Sequence, residues 1–494
     1  MKTQDVAFIT NPITGVSILW RCLFLGCAAA CTALILKPDL GLIVIGIGVG
    51  LPLLSYVLAA TVGGRIEPLI LSWVLIFPLG YYFFSFPAEK SVITLDRVLP
   101  MALLLSMVLA PRESSEPIPI PIRKCALAWG IFLLVAGVSV LRGSDALMAG
   151  RCLVDSFCLP AIVGWGILRN LRVRSHLASL HTVASIMAIY VACIGAAEMV
   201  LLKDLLPLSG STIYLAGSLP RPNGPFYSND SFALIGLITL FLLLFLRKAM
   251  GEEVSLGRKT LHAFGVAASI ASGLMPMFRS VLIALMLILL LGTLAARKPG
   301  RRIAGFAFLF LCIVSISMVG VLAPEVYEDR SRPDNFYVRL AEQVQTLQVF
   351  LSHPVLGVGL ASFTDVVHGN TRYSAYYQGI QSIDSPHNNF GGILSETGIV
   401  GFIPYIASQV LLILAFWKVR KRRAPAAEAV WTYFLYIFLI YWVNGMTLAS
   451  GYNSDLNMWF ILAVATLYKY SMSENDVSPD YVVAGQFAPE YEYV

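Results

Sequence analysis

Stretches of about 17 to 25 apolar residues recur along this chain, separated by short polar turns, and each is long enough to cross a bilayer as a helix. In hydrocarbon every backbone N–H and C=O must find its partner within the segment, so runs of this kind fold as helices and leave few other architectures open. Spans are expected near Val16–Leu36, Gly41–Thr61, Pro68–Phe86, Leu99–Ala110, Cys125–Leu141, Leu153–Leu168 and Leu177–Leu202. Others are expected near Ser231–Leu246, Leu261–Pro276, Ser280–Ala296, Ile303–Leu322, Gly398–Trp417, Val430–Leu448 and Asp455–Tyr470. Short runs such as Leu99–Ala110 suit a re-entrant or half-buried helix as well as a span. The expected fold class is all-α, a polytopic integral membrane helical bundle of about 12–14 transmembrane helices. Composition agrees: of 494 residues 57% are hydrophobic and only 13% charged, about half the charged share of a soluble domain.

The expected organisation is one membrane domain over residues 1–470, with an outer loop at 203–230 and a long extracytoplasmic loop at 323–397. The tail, 471–494, is polar and acidic and reads as disordered and cytoplasmic. The first apolar run follows a polar leader and is one of many, so it is read as a retained helix, not a cleaved signal. Eight cysteines lie in or beside apolar runs with no CxxC, which supports neither a disulfide framework nor a zinc site.

Basic residues mark alternate turns. They cluster at Arg112, Arg123 and Lys124; at Arg169, Arg172 and Arg174; and at Arg247, Lys248, Arg258 and Lys259. Two further clusters follow at Arg297–Arg302 and Lys418–Arg423. The positive-inside rule makes that face cytoplasmic, together with both termini, and puts the long loop outside, in the periplasm of a Gram-negative cell. A net charge of +6 spread in this way is no nucleic-acid signal. Glu116–Ile122, with proline at alternate positions, is expected to be an extended connector.

The long loop is the exception to the short turns, and connections of that length usually carry function. Asp334 and Asn335 are expected to cap a helix in which Phe336, Leu340, Val344, Leu347 and Leu351 recur at helical spacing. The helix is expected to lie across the membrane domain with this stripe downward. Pro354 stops it, Gly357-Val358-Gly359 makes a tight, backbone-exposed turn, and Ser395–Gly398 returns the chain to lipid.

Taken together, Arg339-Leu340, Ser352-His353-Pro354-Val355-Leu356-Gly357-Val358-Gly359, Pro386-His387-Asn388 and Glu396-Thr397-Gly398-Ile399-Val400-Gly401 resemble the bacterial O-antigen ligase and O-antigen (exopolysaccharide) polymerase family. Arg221-Pro222-Asn223-Gly224-Pro225-Phe226 with Asn229, and Arg279-Ser280, fit it too. The resemblance implies a membrane glycosyltransferase that moves a glycan from a polyprenyl-diphosphate carrier such as undecaprenyl diphosphate. The acceptor is a sugar hydroxyl in lipopolysaccharide or exopolysaccharide biosynthesis, the anomeric centre inverts, and no metal or other cofactor takes part. The implied partners are that donor, a lipid- or glycan-linked acceptor, membrane lipid and other polysaccharide-assembly proteins. The implied location is the bacterial inner membrane. Polymerase and ligase both remain open, because acceptor choice depends on surface shape that no short motif encodes.

The residue types suit this chemistry. Losing a diphosphate from an anomeric carbon needs charge stabilisation on the leaving group, and arginine grips phosphate oxygens through two parallel hydrogen bonds. Arg221, Arg279 and Arg339 are the diphosphate-binding candidates; Arg339 has an alternative partner in Glu342 or Gln343 on its own helix. The attacking hydroxyl needs a base, and His387 is the catalytic candidate, with Asp384 orienting its ring and Asn388 fixing local geometry. His353 reads as structural, His368 as an ordinary loop residue, and His176, His181 and His262 as remote. Tyr373, Tyr376 and Tyr377 suit sugar stacking and interface anchoring equally.

A different class, a lipid-linked oligosaccharide flippase or another secondary transporter, also fits the number of spans. Such proteins place charges inside several spans; here Asp155 and Glu198 are the main examples. A scaffold for an assembly complex would leave the arginines and His387 unexplained.

Overall fold

The computed structural model describes residues 60–61, 66–83, 94–109, 118–202, 213–215, 219–226, 228–251, 255–296, 298–322, 332–422, 426–446, 452 and 454–472. The described part of every span expected from Pro68–Phe86 onward lies on or at the end of a helix, and the only strands among the described residues pair 213–215 with 219–221 and 376–377 with 380–381. The protein is an all-α polytopic membrane protein. Among the described residues five helices are long and apolar enough to cross a membrane: Ile120–Val140, Ala146–Asn170, Val173–Leu201, Asn229–Ala249 and Asn389–Arg420. The expected spans Val16–Leu36 and nearly all of Gly41–Thr61 fall outside the described residues, as does the tail beyond Ser471 and Met472, which are the last residues of helix Ser454–Met472.

Burial follows the distribution of apolar residues around each helix. Asn229–Ala249 is apolar on all sides and lies at the centre, as a helix of that composition must. Gly236 lets it approach Leu256–Leu274 so closely that a Cβ there would press on Ser272 and the Gly273 backbone, the small-residue contact typical of membrane helices. Stacked Phe416 and Phe434, 3.8 Å apart, join Asn389–Arg420 to Ala427–Gly445. Fully buried Trp459 donates to Thr239 Oγ1 at 2.9 Å. An apolar cavity of about 140 Å³ runs between Ile120–Val140, Leu159–Asn170 and Ser454–Met472, and none of its lining residues belongs to the long loop.

Local geometry departs from expectation in five places. First, residues from Ile120 onward are helical, so only Ile118 and Pro119 of the described connector are non-helical; Pro121 sits in the first turn, where a missing N–H leaves nothing unpaired. Second, the loop helix Asp334–Ser352 begins at Asp334 without a side-chain cap, so Asp334 acts through its charge in the first turn.

Third, the loop helix is turned over. Phe336, Val344, Leu347 and Leu351 are exposed, while Ala341, Glu342, Gln345, Thr346 and Val349 are buried. The polar face is the one with protein partners, so it turns inward. Fourth, Gly357-Val358-Gly359 is a mostly buried clasp, not an exposed turn. Val358 and Gly359 donate backbone hydrogen bonds to the Ser395 and Glu396 carbonyls, and Ile399 and Val400 donate to Pro354 and Val355.

Fifth, the chain returns earlier than expected: helix Asn389–Arg420 starts before Ser395 and kinks at Gly398, where φ is +63°. Gly357 also has positive φ, and a Cβ on either glycine would collide with the other strand of the clasp, at the Glu396 carbonyl or the Val355 carbonyl. This crossing explains the spacing of the two glycine motifs.

Candidate active site at the return of the long loop

His387 sits between the second hairpin and the return helix. Its φ of +32° is a backbone conformation that side chains other than glycine seldom adopt. Asn388 holds it there: its carboxamide oxygen accepts from the Phe390 and Gly391 N–H groups as N-cap, and its amide donates to Gln343 Oε1 at 2.8 Å. Asn388 thus ties the histidine to both the return helix and the loop helix.

Across from it lies a carboxylate absent from the sequence-based candidates. Glu342 is fully buried; Arg339 Nη1 donates to its Oε2 at 3.2 Å, and its Oε1 lies 3.7 Å from His387 Nε2. Burial pushes the Glu342 carboxyl up to about 7, against the opposing pull of Arg339. Burial, with the Arg339 charge adding to it, pushes the His387 imidazole down to about 4. His387 is therefore neutral at pH 7, able to accept a proton, beside a carboxyl near its midpoint. The signal for Glu342 was present in the sequence: it lies on the polar side of a helix whose partners could be named only after folding.

Asp384 does not orient His387. Its carboxylate pairs with His368 Nδ1 at 2.8 Å and accepts from Gln345 Nε2 at 3.4 Å, so it braces the loop. His368, expected to be an ordinary loop residue, is its partner. His353 ends the loop helix, its N–H bonded to the Val349 and Phe350 carbonyls. Tyr373 is buried, its hydroxyl 3.0 Å from Ser352 Oγ, which leaves Tyr376 and Tyr377 as the exposed pair.

The other arginines gather around a second turn. Arg221 is buried; its Nε donates to the Pro276 carbonyl at 2.9 Å, and its guanidinium lies 4.1 Å over the Phe278 ring. The next residue, Arg279, is exposed as the first residue of helix Arg279–Ala295. Glu198 builds the turn that carries Arg221, its Oε2 accepting from the Asn223 and Gly224 N–H groups at 3.1 and 2.8 Å. Asp155, inside a π-helical turn, pairs with Arg97, whose Nε donates to it at 2.7 Å. Both in-span carboxylates noted in the sequence thus have structural partners.

The described loop residues are held together by a third buried carboxylate. Glu396 accepts from the Ala361 and Phe363 N–H groups and the Tyr452 hydroxyl at 2.9, 3.2 and 3.0 Å. Among the described residues no group of three or more His, Cys, Asp or Glu has a metal-holding arrangement.

A helical membrane bundle with a braced histidine–carboxylate–arginine cluster on one long loop is the class that fold and site define. Residues 264–406, a segment that holds Arg279, Arg339, Glu342 and His387, match the family model described as O-Antigen ligase, which supports the resemblance carried by the motifs. No curated protein matches the chain. The match to the family model supports a role in surface-polysaccharide assembly.

Proposed function

We propose that the protein transfers a glycan from a polyprenyl-diphosphate carrier to a sugar hydroxyl, as ligase or polymerase, with inversion and without a metal. The observation that carries this is the Arg339–Glu342–His387 cluster inside the family-matched segment. His387 takes the proton from the acceptor hydroxyl as its oxygen bonds to the anomeric carbon. The carbon–oxygen bond to the diphosphate breaks, and the electron pair leaves with the carrier diphosphate. Ionised Glu342 stabilises the imidazolium that forms. Arg221 and Arg279 bind the leaving diphosphate, and Arg339, half-exposed beside Glu342, lends a third positive charge.

In this reading residues 1–470 form the membrane domain, both termini are cytoplasmic, and the 323–397 loop lies in the periplasm against the inner membrane. The basic residues of alternate turns support that orientation.

The test is an assay of the purified chain in proteoliposomes with undecaprenyl-diphosphate-linked glycan and two acceptors, lipid A core and a second carrier-linked repeat unit. Glycan transferred to either acceptor, with release of carrier diphosphate, is the expected result. Carrier-linked glycan crossing the bilayer without transfer would overturn it in favour of a flippase.

A further inference from the structure

We infer that the loop helix Asp334–Ser352 lies in the membrane interface, its apolar edge sunk into bilayer lipid while its polar edge forms the site. The helix is divided by face. At 100° per residue, Phe336, Leu340, Val344, Leu347 and Leu351 fall within one quadrant, and fully buried Ala341, Glu342, Gln345 and Val349 lie opposite. Four of the five stripe residues are exposed, from 41% for Val344 to 64% for Leu351, and they form a row too long to be scattered surface apolars.

The occupant follows from what adjoins that row. Leu351 leads through Pro354 to exposed Val355 and Leu356, and Pro354 and Val355 accept backbone hydrogen bonds from Ile399 and Val400. Ile399, Val400 and Ile403 are exposed on a membrane-crossing helix, so exposed apolar residues stand on both sides of the clasp, on the span and on the loop. Depth agrees. Counting back from basic Arg420, 20 residues at 1.5 Å each reach Val400 after about 30 Å, the thickness of the hydrocarbon core. The clasp therefore sits where hydrocarbon meets headgroups, and the stripe runs on from it.

The second hairpin marks the same level. Tyr377 packs on Tyr337 of the loop helix at 5.7 Å, and Tyr376 and Ile383 are exposed beside it; tyrosine is enriched at this layer. A second copy of the chain would not require the row to join the lipid-facing side of a span, whereas a bilayer does. Lipid is the occupant.

This burial does not depend on the chemistry proposed above, and its test needs no turnover. The full wild-type chain is placed in phosphatidylethanolamine–phosphatidylglycerol vesicles carrying a phospholipid with a diazirine on its acyl chain, irradiated, and mapped by mass spectrometry. Carbene adducts are expected on Val344, Leu347, Leu351 and Val355 and absent from Ala341, Gln345 and Val349. Adducts on Ile399–Ile403 but none on residues 334–356 would overturn the proposal. In a parallel sample without the probe, Leu347→Cys chains joined to one another by a short bifunctional maleimide through that position would also overturn it, in favour of a second copy.

Discussion

Glu342 Oε1 stands 3.7 Å from His387 Nε2, closed to solvent, while the other oxygen of the same carboxylate is held by Arg339. The pair joins two loop segments 45 residues apart in sequence and combines a neutral imidazole with a carboxyl pushed up to about 7. Its protonation should govern the rate.

Glu342→Gln keeps the shape and removes the charge. If ionised Glu342 stabilises the imidazolium, the wild-type rate rises with pH through about 7, where Glu342 loses its proton, because His387 is already neutral above about 4. In the variant that limb should vanish and the plateau fall by about one to two decades, the equivalent of one charge-assisted hydrogen bond. A pH–rate profile of both proteins decides it; an unchanged limb would assign it elsewhere.

His387→Ala should lose about two to four decades, the usual share of a general base. His387→Gln, which hydrogen-bonds but takes no proton, should be nearly as slow, with EDTA harmless to the wild type. His387→Gly offers a separate check, since it relieves the +32° φ. It should be inactive yet about 1 kcal/mol more stable to unfolding. A chelator-sensitive wild type or an active glutamine variant would refute this scheme.

Arg221→Lys and Arg279→Lys retain charge but lose the two-pronged grip, and each should slow transfer by about one to two decades. They should differ in stability. Arg221 is buried over Phe278 and bonded to Pro276, so its replacement should lower the melting temperature, whereas exposed Arg279 should leave it unchanged. Thermal unfolding in detergent, run beside the assay, separates the two effects.

Gly357→Ala and Gly398→Ala each put a methyl group into the opposite strand of the clasp at positive φ. Strain of about 1–3 kcal/mol per residue adds to a comparable overpacking cost, so either variant should be strongly destabilised. Gly369→Ala is the control, positive in φ but with open space around it, and should cost less. Equal melting temperatures for all three would mean that the clasp does not hold the loop.

Ser374→Cys tests orientation in intact cells. A thiol reagent that passes the outer membrane but not the inner should label it; labelling only after the inner membrane is permeabilised would place the loop in the cytoplasm and reverse the topology.

Length and hydropathy alone determined that this chain is a helical membrane bundle, because hydrocarbon permits no other way to satisfy the backbone of runs such as Asn229–Ala249. Motif order in the same way marked His387 and the arginines as candidates. Only tertiary structure decided which acidic group meets the histidine. Asp384 is three residues from His387 in sequence yet pairs with His368, while Glu342, far away along the chain, meets it across the fold. The facing of the loop helix was also undecided by its pattern. An apolar stripe records that one side avoids water, and both protein and lipid satisfy that condition. The polar partners of the opposite side, Asp384, Asn388 and His387, settle the choice, because a buried carboxylate or amide must be paired and an apolar edge needs only to be dry.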